Sequence, residues 1–359
     1  MIGIITALPV EAAAVRHVLD RPQERSAPGD PNRYVRSLIA GRPVVATTLA
    51  TSGNTPAADA CAHLVRSFPE IRAVIMCGIA LGVPRPGDPE RDVRLGDVVV
   101  GTGGVVHYGH RRVTDDGTSL RGETLVPSPI LLRAVSEIRI AQARGESPWA
   151  PWLENTPAPA YERPEAGAAS VFYGRIGSAD ELLRSAVRRD EIAVPAGLLA
   201  MEMEGAGAAV SAALGGRECL VVRGVSDYGD ARKSDLWQPY ASMTAAAYVR
   251  ALLEALGPAD GQARAKPVLM ELVELMERVP SLQTPGDREE VLRLMGPPVA
   301  SRVSQDRRAR MALISLARIC LDQPAGFETL IGALVELEGE SSRPVRDLAA
   351  AVERLPDGQ

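Results

Sequence analysis

The sequence predicts an α/β sandwich followed by a small all-α domain, on three observations. Apolar runs of strand length alternate with helical patterns over residues 1–257. Several of these runs are apolar throughout, which is typical of strands covered by helices on both faces of a sheet. Beyond residue 266 only amphipathic helical patterns occur. We therefore expect an α/β domain at 1–257, a linker at 258–266 and a helical domain at 267–359.

The elements of the α/β domain begin with its strands. They are expected at Ile2–Thr6, Arg42–Ala50, Ala73–Cys77, Asp97–Gly101, Val171–Gly177 and Cys219–Val225. A helix is predicted over Pro56–Ser67, because Thr55 is a capping residue type and proline favours the first helical turn. Strands and helices that alternate in this way predict a wound sandwich.

The remaining elements are predicted from helix breakers and from apolar spacing. Prolines make residues 114–167 irregular, with loops around one helix at Ser128–Ala143. A long helix over Ser242–Leu256 ends at a Gly-Pro pair. Past Pro267, the residues with helical spacing are Leu269, Leu272, Val273, Leu275 and Met276, then Leu313, Leu316, Ala317, Ile319 and Cys320, then Leu330, Leu334, Val335 and Leu337. About ninety residues suffice for a modest core of their own.

Composition and charge exclude several classes of protein. With 46% hydrophobic and 24% charged residues, the chain has the composition of an ordered globular protein. A net charge of −5 argues against a general nucleic-acid binder. No basic leader precedes the first strand, and no apolar stretch has membrane-spanning length. We therefore expect a cytoplasmic protein that contacts neither nucleic acid nor membrane.

Cysteines, histidines and lysines give no sign of a metal or a cofactor. The cysteines are Cys61, Cys77, Cys219 and Cys320. Their scattered positions favour reduced core thiols over a disulfide frame or a metal site. His107 and His110 lack a third ligand, so we expect no metal and no cofactor. The two lysines, Lys233 and Lys266, are attributed to composition and not to function.

Acidic residues near the ends of core elements are the most informative feature of the sequence. Met201-Glu202-Met203-Glu204 precedes a small-residue helix, and Ser226-Asp227 ends the apolar strand that follows. Glu11 stands just after the first strand. Ligand sites of α/β proteins gather at such positions. The set holds acids but no nucleophile, which suits bond cleavage through a cationic intermediate.

Cleavage of the bond between ribose and a purine fits this set. The reaction needs an acid for the leaving base, a group for the attacking water and an anion for the sugar hydroxyls. Asp227, beside Ser226, suits the acid, and Glu11 suits the water. Glu204 suits the ribose hydroxyls, with Met203 packed on the sugar. Each carboxylate alone has a structural alternative, as a turn cap, a first-turn helix residue or an exposed side chain.

Six motifs give the sequence a resemblance to a known superfamily. They are Ile2–Ala7 with Glu11, Thr51–Gly53, Cys77–Gly82, Arg94–Val99, Met201–Glu204 and Val222–Asp227. In this order they resemble the nucleoside phosphorylase/nucleosidase superfamily over residues 1–256, and within it most closely the methylthioadenosine/adenosylhomocysteine nucleosidases. The resemblance implies a three-layer sandwich with a mixed central β-sheet, assembled as a homodimer or larger homo-oligomer.

The resemblance also implies roles for individual residues. Glu11 matches the water-activating glutamate, Asp227 the aspartate that protonates the base, and Ser226 its orienting partner. Met203 and Glu204 match the ribose contacts. The other positions expected to line the substrate site are Glu202, Ser52, Gly53, Ile79, Ala80 and Leu182. The implied ligand is a purine nucleoside or nucleotide.

Two kinds of departure from the family pattern are informative. One concerns the molecule that attacks the sugar, water or phosphate, and the other concerns the substrate. Phosphorylases of the superfamily place an arginine before the glycine-rich turn, where this chain has Met76, and a Gly-Asp-Pro-type loop where it has Leu8-Pro9-Val10-Glu11. Water is therefore the expected acceptor. Leu182 stands where the nucleosidases carry a base-stacking aromatic, which leaves the purine open. Arginines at 85–94 and 111–112 leave a phosphorylated nucleoside open as substrate, with solvated surface charge as the alternative.

The C-terminal domain resembles the small helical effector-associated domains of bacterial conflict systems. The residues that carry this likeness are Leu272–Met276, Val279–Leu282, Asp287-Arg288 and Phe327–Leu330. The resemblance implies an adaptor that pairs with a matching domain on another protein. The alternative is an accessory bundle that packs only on the catalytic domain or on its dimer mate.

The leading hypothesis is therefore an enzyme. We expect hydrolysis of a purine N-glycosidic bond, with adenine as the expected base, coupled to a signalling or defence partner. Two alternatives are a phosphorolytic nucleoside phosphorylase and a non-catalytic nucleoside-sensing adaptor. The joint presence of Glu11, Glu204 and Asp227 favours the enzyme, because a sensor needs no group to activate water.

Overall fold

A computed structural model of the chain describes residues 1–115, 117–120, 124–127, 129–156, 158–159, 169–256, 265–296, 309–323 and 325–353. It divides into two compact units, Met1–Pro258 and Ala259–Gln359. Residues 258–264 of the predicted linker lie outside the described residues, whereas Ala265 and Lys266 already belong to a helix.

The first unit combines strands and helices throughout its described length. Its strands are β1 (Ile2–Thr6), β2 (Asp20–Ser26), β3 (Arg33–Ile39), β4 (Arg42–Thr48), β5 (Ala73–Gly82), β6 (Val98–Val100), β7 (Val105–His107), β8 (Arg111–Thr114), β9 (Gly117–Leu120), β10 (Thr124–Leu125), β11 (Val171–Tyr173), β12 (Arg175–Ser178), β13 (Leu198–Glu202) and β14 (Glu218–Asp227). Its helices are α1 (Pro9–His17), α2 (Asn54–Ser67), α3 (Pro129–Ala143), α4 (Ala186–Ala196), α5 (Gly205–Leu214) and α6 (Gln238–Ala255).

One mixed sheet of twelve strands organises this unit, and β8 with β9 forms a separate hairpin. The long strand β5 runs parallel to β1 and to β14, whereas β13 pairs with it in the antiparallel sense. From β14 the pairing continues through β6 to β11, and Gly174 leads directly into β12, which pairs with β13. This path returns to β5 through strand pairing at every step except the one from β11 to β12, which the chain itself makes. The structure confirms the predicted α/β fold with a mixed sheet.

Two apolar layers cover the sheet, one on each face. Successive residues point to opposite faces of a strand, so Ile4 and Val222 pack with α1, α3 and α6, whereas Ile5 and Val221 pack with α2 and α5. Each such fully buried side chain contributes about 1.5–3 kcal/mol relative to an exposed one. Because helices bury both faces, the strands are apolar throughout, which is the pattern that the sequence shows.

The start of α2 differs from the prediction. Thr55 is the expected cap, but the helix begins at Asn54 and Gly53 occupies the N-cap position with φ 126°. The backbone N–H of Asn54 donates to Oδ1 of Asp180 at 2.7 Å. A carboxylate far away in sequence thus does the capping, which local sequence cannot show.

The second unit is helical in its described parts. Its helices are α7 (Ala265–Met276), α8 (Pro285–Met295), α9 (Ala309–Asp322), α10 (Gly326–Glu338) and α11 (Arg343–Glu353). Leu272, Leu313 and Leu334 are each at most 1% exposed, so the predicted apolar spacing builds a core. Leu337, by contrast, is 41% exposed. In neither unit is a described helix long and apolar enough to cross a bilayer.

Candidate active site

The candidate site opens where two strands diverge on one edge of β5. β1 pairs with this edge as far as Met76, and β13 pairs with it from Leu81. β14 pairs with the other edge of β5 from Ala73 to Leu81, and so covers the residues that β1 and β13 leave unpaired. The backbone of residues 77–80, the open edge of β5, is therefore available to side chains instead of a strand. Ligand sites of α/β proteins form at such changes of strand order.

Glu11 is fixed at the open edge by backbone donors. Its side chain is buried, and the N–H groups of Ala7 and Leu8 donate to Oε2 at 2.7 and 2.9 Å. The N–H of Ile79 donates to Oε1 at 2.8 Å. A carboxylate has about four acceptor positions, so these three bonds orient Glu11 and leave it able to accept one more.

Arg223 is the positive centre of the site. It is fully buried on β14, and Nη2 pairs with Glu202 and, at 3.3 Å, with Oε2 of Glu204. Nη1 lies 3.9 Å from Oε1 of Glu11. Burial alone would lower the pKa of Arg223, but Glu202, Glu204 and Glu11 together raise it above its ordinary value. The guanidinium therefore stays charged.

One N–H group of Arg223 remains available beside Glu11. Among the described residues, Nη1 has no hydrogen-bond partner. A Cβ added at Gly78 would clash with both Nη1 and Oε1 of Glu11, so the two atoms lie together over this glycine. A donor and an acceptor thus face the same small space, which fits the requirements of a bound water molecule.

Glu202 and Glu204 differ in the number of hydrogen bonds that they accept from the protein backbone. Glu202 accepts from the N–H of Glu204 at 3.0 Å and of Gly205 at 2.8 Å, besides its pair with Arg223. Glu204 accepts from the N–H of Gly53 at 3.2 Å. Burial raises the pKa of Glu204 to about 7; Arg223 opposes this shift, and the other two carboxylates add to it. Glu204 is thus the less satisfied acceptor.

Asp227 follows a strand irregularity that reorients the end of β14. The pairing register with β5 shifts between Val225 and Asp227, and such bulges redirect side chains. Ser226 Oγ donates to Oδ2 of Asp227 at 3.0 Å, and the N–H of Gly229 donates to Oδ1 at 2.8 Å. Nζ of Lys233 lies 3.5 Å from the same Oδ2.

A buried polar network connects the elements around the site. Asn54 Oδ1 accepts from Ser178 Oγ at 3.0 Å and from the N–H of Gly207 at 2.8 Å. Ser178 Oγ in turn accepts from the N–H of Ala206 at 3.1 Å. With the bond from Asn54 to Asp180, these contacts join α2, β12 and the first turn of α5. They hold the loop that carries Gly53 against Glu204.

The remaining predicted positions lie near these residues and differ in exposure. Gly53 and Ile79 act through the N–H groups already described. The carbonyl of Ala80 is 3.4 Å from Ser226 Oγ. Met203 is half-buried between the two glutamates, and Ser52 is exposed.

Leu182 lies on the loop beside the turn that follows Asp227. A Cβ added at Gly229 would meet the side chain of Leu81 at 2.8 Å and the carbonyl of Leu183 at 3.5 Å, which places the two segments in contact. Leu182 itself is 61% exposed. An exposed apolar side chain at this position is available to a ligand.

Thiols and metal-ligand clusters add no further chemistry here. All four cysteines are free, and burial raises the pKa of Cys77 to about 12 and that of Cys61 to about 11. These thiols are therefore inert near neutral pH. Within the described ranges, no group of three histidine, cysteine, aspartate or glutamate side chains could hold a metal ion.

Fold and site together define a class of α/β proteins with acidic side chains clustered at the strand ends of a mixed sheet. The chain belongs to the Phosphorylase superfamily, because the sequence model of that family matches residues 1–254. Residues 273–353 match Effector-associated domain 2. Both resemblances predicted from the sequence are confirmed.

Two curated relatives match most of this chain but only part of their own length. A nucleotide-binding leucine-rich repeat (NLR)-like protein from Hyaloscypha variabilis is 30% identical over 298 residues, which cover 72% of this chain and 29% of that protein. The ATP nucleosidase Cap17 from Escherichia coli is 26% identical over 261 residues, covering 68% of this chain and 49% of that protein. The chain thus spans at most about half of these relatives.

A solved structure shows the same fold. The 5'-methylthioadenosine/S-adenosylhomocysteine nucleosidase from Neisseria meningitidis, in complex with methylthio-immucillin-A, superposes with a TM-score of 0.54 at 22% identity. The match covers 71% of this chain and 98% of that one. This chain therefore contains nearly the whole fold of that structure and has further residues beside it.

Proposed function

We propose that the first unit hydrolyses the N-glycosidic bond of a purine nucleoside or nucleotide, with adenine as the base, and releases that base. The observation that carries the proposal is Nη1 of Arg223, which has no hydrogen-bond partner among the described residues and lies beside Glu11, while the same guanidinium pairs with Glu204. Asp227 is linked to this edge through Ser226, whose Oγ lies 3.4 Å from the carbonyl of Ala80. A relative named as an ATP nucleosidase and the nucleosidase fold support the same reaction.

In the proposed mechanism each group has one task. Glu204 accepts hydrogen bonds from the ribose hydroxyls, and Asp227 gives a proton to the base as its bond to C1′ breaks and the bonding electrons leave with it. Water held between Oε1 of Glu11 and Nη1 of Arg223 attacks C1′ and loses its proton to Glu11. The products are free purine and the ribose moiety. General acid–base groups of this kind each contribute about 10²–10⁴-fold in rate.

Charge at the open edge supports water over phosphate as the acceptor. Three carboxylates, Glu11, Glu202 and Glu204, surround the single guanidinium of Arg223. A phosphate ion in the same space would add negative charge to an excess of carboxylates. Product analysis in phosphate buffer tests this point, because hydrolysis yields a free sugar and phosphorolysis yields a sugar 1-phosphate.

The direct test is an assay of base release from a panel of substrates. The full-length protein is incubated with adenosine, methylthioadenosine, guanosine and their available 5′-phosphates, and free base is measured by chromatography. Adenine release from at least one substrate is expected. If nucleosides bind but no base appears under any condition, the chain is a nucleoside sensor and the enzymatic proposal fails.

Substitution of Gly78 by alanine is expected to disable the site without unfolding the unit. The added methyl group occupies the space over which Glu11 and Arg223 meet, so the proposed water position is lost. We expect at least about a hundredfold lower rate of base release, with binding of purine less affected.

Gly215→Ala is the matched control, because a Cβ there makes only ordinary contacts from 3.4 Å. Thermal unfolding of both variants checks the fold. Full activity in Gly78→Ala would remove the space beside Glu11 from the mechanism.

Substrate affinity is expected to rise with pH through about 7, because Glu204 must ionise to accept from ribose hydroxyls and its pKa is raised to about 7. Below this pH the protonated carboxyl loses acceptor capacity. The raised pKa of Glu204 also makes the free energy of unfolding depend on pH. The pKa of Glu204 in the folded protein exceeds the ordinary 4.5, so its contribution to stability is fully present below about pH 4.5 and is lost as the pH rises through about 7.

Titration calorimetry and thermal unfolding from pH 5 to 8 measure both effects. Glu204→Gln should abolish the pH dependence of affinity and melt higher relative to wild type at pH 8 than at pH 5. Glu90→Gln, at an exposed position, is the control. A pH profile unchanged by Glu204→Gln would assign the titration to another group.

We further propose that the chain forms a homodimer or larger homo-oligomer and that the second unit pairs with a matching domain on a defence or signalling protein. The match to Effector-associated domain 2 supports an adaptor role. Light scattering of the purified chain tests self-association.

A further inference from the structure

Lys233 contacts the candidate acid, although the sequence offers it no role. Its ammonium lies 3.5 Å from Oδ2 of Asp227, and its side chain is 18% exposed against 5% for the aspartate. Asp227 already accepts from Ser226 and from the N–H of Gly229. The ammonium is thus a further contact, supplied by a loop and not by the sheet.

The loop places Lys233 at the end of a turn next to a second cation. The N–H of Lys233 donates to the carbonyl of Asp230 at 3.2 Å. Within the same turn, Nη2 of Arg232 lies 3.2 Å from Oδ2 of Asp230, and its side chain is 75% exposed. Lys233 is therefore the cation of this turn that faces the site, and Arg232 faces solvent.

In a purine nucleoside bound so that Asp227 protonates N7 of the base, the 5′-phosphate lies on the same side of the glycosidic bond as Asp227. In the anti conformation, the N7–C8 edge of the base and the 5′-carbon lie on the same side of the glycosidic bond. An acid that serves N7 is therefore close to the 5′-substituent, and so is a cation paired with that acid. Lysine suits such a shared position, because its ammonium is compact and its stem is flexible.

The charge of the rest of the site makes such a cation necessary for an anionic ligand. Glu11, Glu202 and Glu204 outnumber Arg223, the buried cation among them. Nη2 of Arg223 is already engaged by two carboxylates, and Nη1 faces the open edge near Glu11. A 5′-phosphate would meet a net negative site unless a separate cation accompanied it.

We propose that Lys233 is the specificity residue for purine nucleoside 5′-phosphates, an inference that rests on the proposed function of the site. In the empty site its ammonium pairs with Asp227. A 5′-phosphate, which carries more charge than the carboxylate, draws the ammonium away. Oδ2 of Asp227 then takes up a proton from solvent and gives it to the base. Phosphorylated substrates thus gain both an ion pair and an unobstructed acid, whereas unphosphorylated nucleosides gain neither.

The test compares adenosine with adenosine 5′-monophosphate in wild type, Lys233→Met and Lys233→Arg. Base release gives kcat/KM for each pair. Titration calorimetry gives Kd in a Glu11→Gln background, where turnover is blocked. For Lys233→Met we expect the preference for the monophosphate to fall about tenfold to hundredfold, as for loss of a charged hydrogen bond. Lys233→Arg keeps the charge and should retain most of the preference.

Arg232→Met is the matched control, because it removes the same charge from the solvent side of the same turn. It should leave the ratio between the two substrates unchanged. Equal losses for adenosine and its monophosphate in Lys233→Met, or no loss, would overturn the assignment. If no variant releases base but Kd shows the expected preference, the reaction fails and the phosphate contact stands.

Discussion

Asp227→Asn is expected to reduce release of free base by about a thousandfold or more, since it removes the group proposed to protonate the leaving purine. Binding of purine nucleosides should remain largely intact. An amide keeps the shape of the side chain, and its one oxygen can still accept one of the two hydrogen bonds that Asp227 receives, the bond from Ser226 at Oδ2 or the bond from Gly229 at Oδ1. The loss should therefore lie in kcat and not in KM.

Asp235→Asn provides the matched control for this substitution. Asp235 is an exposed residue of the loop between Asp227 and α6, so its change should leave turnover near the wild-type rate. Single-turnover assays and calorimetric binding on both variants separate chemistry from affinity. If Asp227→Asn turned over at the wild-type rate, the proton would have to reach the base from another group.

Arg223→Met is expected to destabilise the protein by about 3–5 kcal/mol, as removal of one partner from a buried ion pair does. The substitution leaves Glu11, Glu202 and Glu204 buried together without their shared cation. At least one of these carboxylates must then bind a proton or draw in water. Activity should be lost as well, because the donor for the proposed water disappears. Urea unfolding at pH 7 measures the stability change.

A double variant separates stability from function at this position. In Arg223→Met with Glu202→Gln, one of the clustered charges is removed together with the arginine, so part of the lost stability should return. Activity should not return, since the N–H beside Glu11 is still missing. Equal stability of the single and double variants would show that Arg223 does not balance the charge of Glu202.

Apolar strands were the predictable part of the fold, and strands defined only by their partners were not. β1, β4, β5 and β14 follow from apolar runs that two helical layers cover. β2 (Asp20–Ser26) is exposed and polar, and its identity as a strand comes from pairing with β3. β13 (Leu198–Glu202) has helix-forming residues, and pairing with β12 and β5 makes it a strand. Such pairing is a property of the whole chain.

The candidate site was predictable to the extent that its residues occur in motifs. Glu11 and Asp227 stand at the ends of β1 and β14, which both run parallel to β5, so their placement at one end of the sheet follows from topology. Glu204 follows β13, which runs antiparallel to β5, so its position depends on where that strand ends. A lone arginine inside the apolar run of β14 is the signal for Arg223, because such a residue must be paired to be buried. Lys233 has no comparable signal. Its contact with Asp227 depends on the path of an irregular loop.

At the open edge of β5, some side chains of the candidate site are positioned by the sheet and others lie on loops. Ile79, which holds Glu11, pairs in register with Gly224, three residues before Asp227. The spacing between Glu11, the proposed water-binding group, and Asp227, the proposed acid, is therefore built into one pair of strands. Lys233 and Leu182 lie on loops outside this pair. Exchange of these loops should therefore alter which ligands bind, while the spacing of the proposed catalytic groups stays constant. Redesign of specificity in this protein should begin with the loops.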